Sequence, residues 1–277
     1  MNDAPRTARI IEQRLDWLTC TARAGARAEE LVAFGLVALE ADAGQGDQVK
    51  PFAFQGYQGQ GHKHLSVGDR SDGAIIVCRG AEADTLAPYL ANLADHWSRV
   101  DVCVTAIADD PTYNPAQEYW ELGQRDDPND PALPKISQAR TRWGGTTTYV
   151  GSRVSPVFAR TYDKAAESKG RYPAASWRWE LELKQFASET EQTRWQLDPN
   201  RSAMSRPLVA EQFRKWGLGV PFDSGDRCEL WRSPKRERSV DSKERWLRDQ
   251  VRGSAQLVAK IYGRERVIEA LGLSGFN

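Results

Sequence analysis

The chain has 277 residues, with 38 Lys plus Arg against 38 Asp plus Glu and a formal net charge of zero, which excludes a protein that coats nucleic acid by neutralising phosphates over its whole surface but leaves room for a local basic patch. At 40% hydrophobic residues, with no run of about 18 apolar residues, it reads as a soluble chain of one large domain, or one domain with a smaller appendage, and no membrane span. Cys20, Cys78, Cys103 and Cys228 are too scattered for a CxxC or Cys/His zinc site and read as core thiols of a reducing cytoplasm, and the charged N-terminus lacks the apolar stretch of a secretory signal.

Residues 15–22 predict a first strand. Residues 24–42 place Leu31, Phe34, Val37 and Ala38 at helical spacing and predict a helix. The glycine-rich stretch 56–70 reads as a loop, 74–77 as a strand, 83–97 as an amphipathic helix with His96 at its end, and 99–107 as a strand. Residues 109–143 break pattern: DDPTYNP and RDDPNDPALP supply turns on either side of a short helix over 116–122. From 208 onward strand signals fade, and 210–216, 243–262 and 264–271 read as helices, the last stopped by Gly272. The order predicts an α+β fold, a mainly antiparallel central sheet with helices packed on one face, the polar face left for substrate, and a helical C-terminal tail. The expected division is 1–205 for the main domain and 206–277 for a helical segment serving DNA binding or oligomerisation.

The stretch 146–184 carries the most information. Successive side chains of a strand point to opposite faces, so Trp177, Trp179, Leu181 and Leu183 share one face while Arg178, Glu180, Glu182 and Lys184 share the other. The preceding run puts Phe158, Arg160, Tyr162 and Lys164 together, a phenol between two cations. The plain reading of such alternation is the solvated face of a half-buried antiparallel sheet. The functional reading is a surface that handles phosphate.

The ordered set Tyr149-Val150-Gly151-Ser152-Arg153-x-Ser155, Phe158-x-Arg160-x-Tyr162-x-Lys164 and Trp177-Arg178-x-Glu180-x-Glu182-x-Lys184 resembles the Rep_trans family. This family comprises initiators of rolling-circle plasmids, replication proteins of filamentous phages and relaxases of some integrative conjugative elements. Asp16-Trp17-Leu18-Thr19, the stretch 56–70, Arg99-x-Asp101 within 98–105, and the stretches 244–251 and 267–272 are similar to other parts of it, so the resemblance covers nearly the whole chain.

The resemblance implies a metal-dependent DNA nickase in which Tyr162 attacks a phosphodiester, keeps a 5′-phosphotyrosine and frees a 3′-hydroxyl. Tyrosine ionises near pH 10, so Arg160 and Lys164 are expected to stabilise the phenoxide or hold the phosphate. Tyr149 is the competing nucleophile, or else a packing aromatic. Mg²⁺ or Mn²⁺ is expected at Asp101 with Glu180 and Glu182; the two glutamates lie about 7 Å apart along their strand, a spacing that suits one ligand and one outer group or base. Many relatives carry a second acid four residues after the aspartate, where this chain has Thr105. The plain alternative for Asp101 is a salt bridge with Arg99.

Arg153 in its Gly-Ser-Arg turn is either a phosphate fork or a loop-holding arginine. Arg178 and Lys184 are expected at the DNA. The basic run 232–252, with Arg245 and Arg248 beside Trp231 and Trp246, is either a duplex or hairpin grip or a solvated helix face. His62-Lys63-His64 lies in the glycine-rich stretch with a lysine at its centre, which speaks against a metal pair. No GxxxxGK[ST] loop occurs, so host helicase and polymerase are the implied partners beside DNA, and relatives suggest a homodimer. The alternatives are a relaxase of a conjugative element using the same chemistry, a catalytically silent DNA-binding regulator, and an RNA-binding protein that stacks bases on its tryptophans.

Overall fold

In the computed structural model the described residues are 7–43, 48–125, 134–140, 145–184 and 205–223. The spine of the sheet is β1, Ala8–Arg23, which pairs with β5, Gly73–Arg79, on one side and β6, His96–Ala108, on the other. Beyond β5 lie β4, Leu65–Arg70, β3, Tyr57–Gly61, and β2, Lys50–Phe54. Beyond β6 lie β10, Ser176–Leu183, β9, Val157–Asp163, β8, Thr146–Val150, and β7, Ile136–Arg140. The result is an α+β fold on a ten-stranded sheet in which every neighbouring pair is antiparallel.

Period-2 alternation decides which face is covered. Val100, Val102 and Val104 of β6 and Trp177, Trp179, Leu181 and Leu183 of β10 belong to one apolar core. The helices α1, Ala26–Ala43, α2, Ala81–Leu93, α3, Pro115–Arg125, and a C-terminal helix, Ser205–Lys215, close it. They contribute Leu31 and Leu39, Ala83, Ala87 and Leu90, Ala116 and Tyr119, and Leu208, Val209 and Phe213. Two polar groups inside this core are paired: the Trp179 indole N–H donates to the Tyr119 hydroxyl (3.1 Å), which donates to the Gly219 carbonyl. Among the described residues no helix is long and apolar enough to cross a membrane.

Several elements differ from expectation. The first strand runs from Ala8 rather than 15, because its charged half pairs with β6 through Ala8↔Ala108. The stretch 56–70, expected as a loop, forms β3 and β4. Its glycines mark close strand contact rather than a turn, since a Cβ at Gly59 would collide with the Val67 carbonyl. The helix expected over 83–97 stops at Leu93: the Asp95 N–H bonds to the Thr21 carbonyl and the Asp95 carboxylate accepts from the Arg23 N–H (2.8 Å), so His96 and Trp97 start β6. Strand β7 lies in the segment that reads as patternless.

The C-terminal helix begins at Ser205, five residues earlier than expected, with the Ser205 hydroxyl donating to the Arg14 carbonyl (3.1 Å). The chain divides into two compact units, Met1–Arg232 and Ser233–Asn277. The helices expected over 243–262 and 264–271, the basic run with Arg245 and Arg248, and Cys228 lie outside the described residues.

Candidate active site

On the face opposite the helices, register stacks side chains from neighbouring strands into three rows. The first runs Arg79, Trp17, Asp101, Glu182, Phe158; the second Arg14, Cys103, Glu180, Arg160, Tyr149; the third Glu12, Thr105, Arg178, Tyr162, Thr147. Rows are about 7 Å apart, two residues of strand rise. A bulge in β1 between Leu15 and Trp17 brings Asp16 to the same group, where it meets Arg14 (2.8 Å) and Arg178 (3.3 Å). An extra residue in a bulge re-aims its side chain in this way.

Tyr162 lies in the third row, beside Glu180 of the middle one. Its hydroxyl donates to Glu180 Oε1 (2.5 Å), and Arg160 Nε donates to the other carboxylate oxygen. Burial works against the Glu180 anion, but Arg160, Arg178 and the hydrogen bonds from Tyr162 and Arg160 hold its pKa below the ordinary carboxylate value. For Tyr162 the balance is opposite: burial first, then the Glu180 charge, push the phenol well above its ordinary value, and Arg178 and Arg160 offset only part of this. The flanking cations therefore do not yield a standing phenoxide. Glu180 is instead a carboxylate in hydrogen-bond contact with the phenol, which is the geometry of a general base.

Lys164 does not continue the strand. Asp163 ends β9 by accepting from the Ala166 N–H (2.8 Å) and capping a one-turn helix α4, Lys164–Glu167. The lysine nevertheless stays at the site, with Nζ 2.8 Å from Glu167 and 5.7 Å from the Tyr162 ring centroid. Tyr149 stacks on Phe158 (5.8 Å between centroids) below Arg153, and among the described residues it has no carboxylate partner.

The alternating charges are not a solvated face. Arg178, Glu180 and Glu182 are 1%, 2% and 8% exposed. Arg178, expected at the DNA, is sealed in by Thr105 (2.8 Å), Glu12, Asp16 and the Tyr172 hydroxyl (3.3 Å). Lys184 pairs with Glu182 (2.8 Å). Arg153 sits in a turn opened by Gly151 at φ 89° and has no carboxylate partner among the described residues.

Asp101 makes the salt bridge that is the plain alternative for it: Arg99 Nε and Nη2 reach its two oxygens at 2.8 and 2.6 Å, and Nη2 also reaches Glu182 at 3.0 Å. Burial pushes the Asp101 carboxyl up to about 6, with Arg99 pulling it down. Asp101 and Glu182 are cross-strand neighbours and Glu180 lies one row away, yet each already faces a cation. Among the described residues no three His, Cys, Asp or Glu groups converge as a metal cage. As arranged, the set does not fit a divalent cation.

No family model matches the chain, and no curated protein matches it. Among solved structures, the rolling circle replication initiator protein from Geobacillus stearothermophilus matches with a TM-score of 0.51 and 18% identity, over 74% of this chain and 84% of that one. The fold is similar to that of a replication initiator. At this identity the likeness is one of architecture, and the chemistry rests on the residues themselves.

Glu12 and Arg14 of β1 and Tyr172 are absent from the sequence reading, which names Asp16 and Trp17 without a role. Thr105 stands where a second acid is expected, and Glu12 supplies a carboxylate there, accepting from the Thr105 hydroxyl (3.2 Å) and from Tyr172 (2.7 Å). Trp17 lies against both Arg99 and Arg79, whose Cζ atoms are 4.3 and 4.9 Å from its ring. The available signal is the continuation of the strand's alternation to Glu12 and Arg14, which lie just upstream of the expected strand start.

Proposed function

We propose that this protein is a sequence-specific DNA nicking and strand-transfer enzyme that initiates rolling-circle replication through a 5′-phosphotyrosine at Tyr162. The observation that carries the reading is the hydrogen bond from the Tyr162 hydroxyl to the ionised, buried Glu180, on a fold similar to that of a replication initiator. Tyr162 Oη attacks phosphorus as its proton passes to Glu180, so a free phenoxide is never needed. The bond from phosphorus to O3′ breaks, and O3′ takes a proton from water. Protonation of Glu180 weakens its ion pair with Arg160, releasing that guanidinium towards the negative charge developing on phosphate.

Lys164 adds a second cation near the phenol. Arg153 and Lys184 are the proposed phosphate contacts of the single strand, and the basic run with Arg245 and Arg248 the duplex grip. Arg178 is assigned to holding Glu12 and Glu180. A requirement for Mg²⁺ or Mn²⁺ would mean that Arg99 leaves Asp101 and Glu182 when DNA binds. Host helicase and polymerase would extend the freed 3′-hydroxyl, and a homodimer is the proposed assembly. A relaxase would use the same nick.

The test is incubation with supercoiled DNA carrying the gene's own neighbourhood, with and without each metal and with chelator. Nicked circles and a covalent adduct, both lost in Tyr162→Phe and reduced at least a hundredfold in Glu180→Gln, are expected. Specific binding without a nick under any condition would establish the silent regulator instead.

A further inference from the structure

Most cations of the charged face already meet a carboxylate: Arg14 and Arg178 meet Glu12, Arg99 meets Asp101, Arg160 meets Glu180, and Lys184 meets Glu182. Among the described residues Arg79, like Arg153, has no such partner. Its side-chain hydrogen bond there is to the Ser66 hydroxyl (3.1 Å). Arg79 is partly buried, and burial foremost, with the Arg99 charge adding to it, lowers its pKa from the ordinary arginine value. A guanidinium withdrawn from water beside a second one is an unfavourable arrangement, which a bound anion would relieve.

The two arginines without an acid lie over aromatic rings at opposite ends of the first row. Arg153 Cζ is 5.3 Å from the Phe158 centroid. At the other end, Arg79 and Arg99 Cζ are 4.9 and 4.3 Å from that of Trp17. Trp17 is held firmly: its indole N–H donates to the Thr19 hydroxyl (2.8 Å), and its ring packs with Phe52 against Tyr57, Ile75 and Val77. Both Trp17 and Phe52 keep exposed area. A rigid ring beside a guanidinium that can fork onto phosphate matches one nucleotide of a single strand, base to ring and phosphate to cation. Trp17 lies three strands and two rows from Tyr162, roughly 20 Å across the sheet, which a stacked strand covers in about six nucleotides.

We propose that Arg79 and Trp17 form a separate nucleotide subsite, which grips one phosphate and one base of the DNA single strand within about six nucleotides of the bond that Tyr162 attacks; this rests on the DNA reading above. The subsite supplies affinity and register without touching the reacting atoms. Arg79 binds the phosphate with the N–H groups that Ser66 leaves open, and Trp17 with Phe52 takes the base.

The experiment uses the full chain and, as probe, a single-stranded oligothymidylate of about 16 nucleotides carrying 5-iodouracil, which photo-crosslinks to aromatic side chains. Irradiation and mass spectrometry are expected to find DNA on the tryptic peptide 15–23, in which Trp17 is the one aromatic residue. Arg79→Gln is expected to remove that crosslink, weaken binding about tenfold, and lower the slope of log affinity against log salt by about 0.7, one single-strand phosphate. Arg79→Lys keeps the charge and should restore most of the slope, which a merely structural role for the arginine would not predict. No crosslink on 15–23 in the wild-type chain, or wild-type affinity and slope in Arg79→Gln, would overturn the proposal. So would thymidine 5′-monophosphate displacing the crosslink as effectively as the oligonucleotide, since the site would then serve a free nucleotide. Nicking of supercoiled DNA without the crosslink would remove the subsite alone, and the crosslink without nicking would remove the nickase alone.

Discussion

Strand β10 is buried along its whole length, yet its two faces are held in place by different physics. Trp177, Trp179, Leu181 and Leu183 enter the helix-covered core, where each apolar side chain removed from water stabilises the fold by roughly 25 cal/mol per Å². Arg178, Glu180 and Glu182 are equally withdrawn from solvent, but desolvation works against each of these charges. They persist only because Glu12, Asp16, Arg99, Thr105 and Arg160 meet them from neighbouring strands. A buried ion-pair network is a poor way to gain stability compared with apolar packing of the same volume. Its presence across three rows is consistent with the site proposed there.

The largest expected effects separate these two causes. Trp179→Ala and Glu180→Ala should each cost about 3–5 kcal/mol in a urea melt, the first by opening a cavity and the second by leaving Arg160 without its carboxylate. Replacing both partners, Arg160→Met with Glu180→Leu, should recover most of the second loss and none of the nicking. If the double variant is no more stable than Glu180→Ala alone, the charged face is not held together by pairing.

Asp101 sharpens the comparison through pH. Its carboxyl is raised to about 6 in the fold from the ordinary 3.8, so between these values the folded state holds a proton that the unfolded chain has lost. Its contribution to stability is then complete below the lower value and is lost as pH rises through about 6, a change on the order of 3 kcal/mol. Asp101→Asn should flatten that part of the stability profile, and an unchanged profile would place the titration elsewhere.

Thiols probe the two faces with a smaller effect. Burial pushes Cys20, on the helix-covered face, up to about 12, and raises Cys103, in the middle row of the charged face, despite Arg178. Neither should react with iodoacetamide at neutral pH until the protein unfolds, which mass spectrometry after timed labelling would measure. Smallest of all, Arg153→Ala should change stability by no more than about 0.5 kcal/mol while lowering the salt dependence of DNA binding by about one phosphate contact.

How much could be read in advance depends on how local each signal is. The alternation over 157–163 and 176–183, with Tyr162 beside Arg160 and one face of β10 apolar, is a property of neighbouring residues and was legible. The stretch 56–70 reads as a loop from sequence because glycine serves both turns and strands that approach closely, and only Val67 on the adjacent strand tells which applies. The end of α2 depends on Asp95 meeting Arg23 and Thr21 on β1, contacts that no local window contains.

By itself, then, the sequence determined the period of each strand, which side of β10 is apolar, and the clustering of one phenol with two cations, because alternation is set by the pleat of the chain. Only the tertiary structure decided that the charged side is buried rather than solvated, that the Tyr162 hydroxyl donates to the Glu180 carboxylate, and that Tyr172 donates to Glu12. These are matters of register between strands, where a shift of one residue would turn every side chain to the other face.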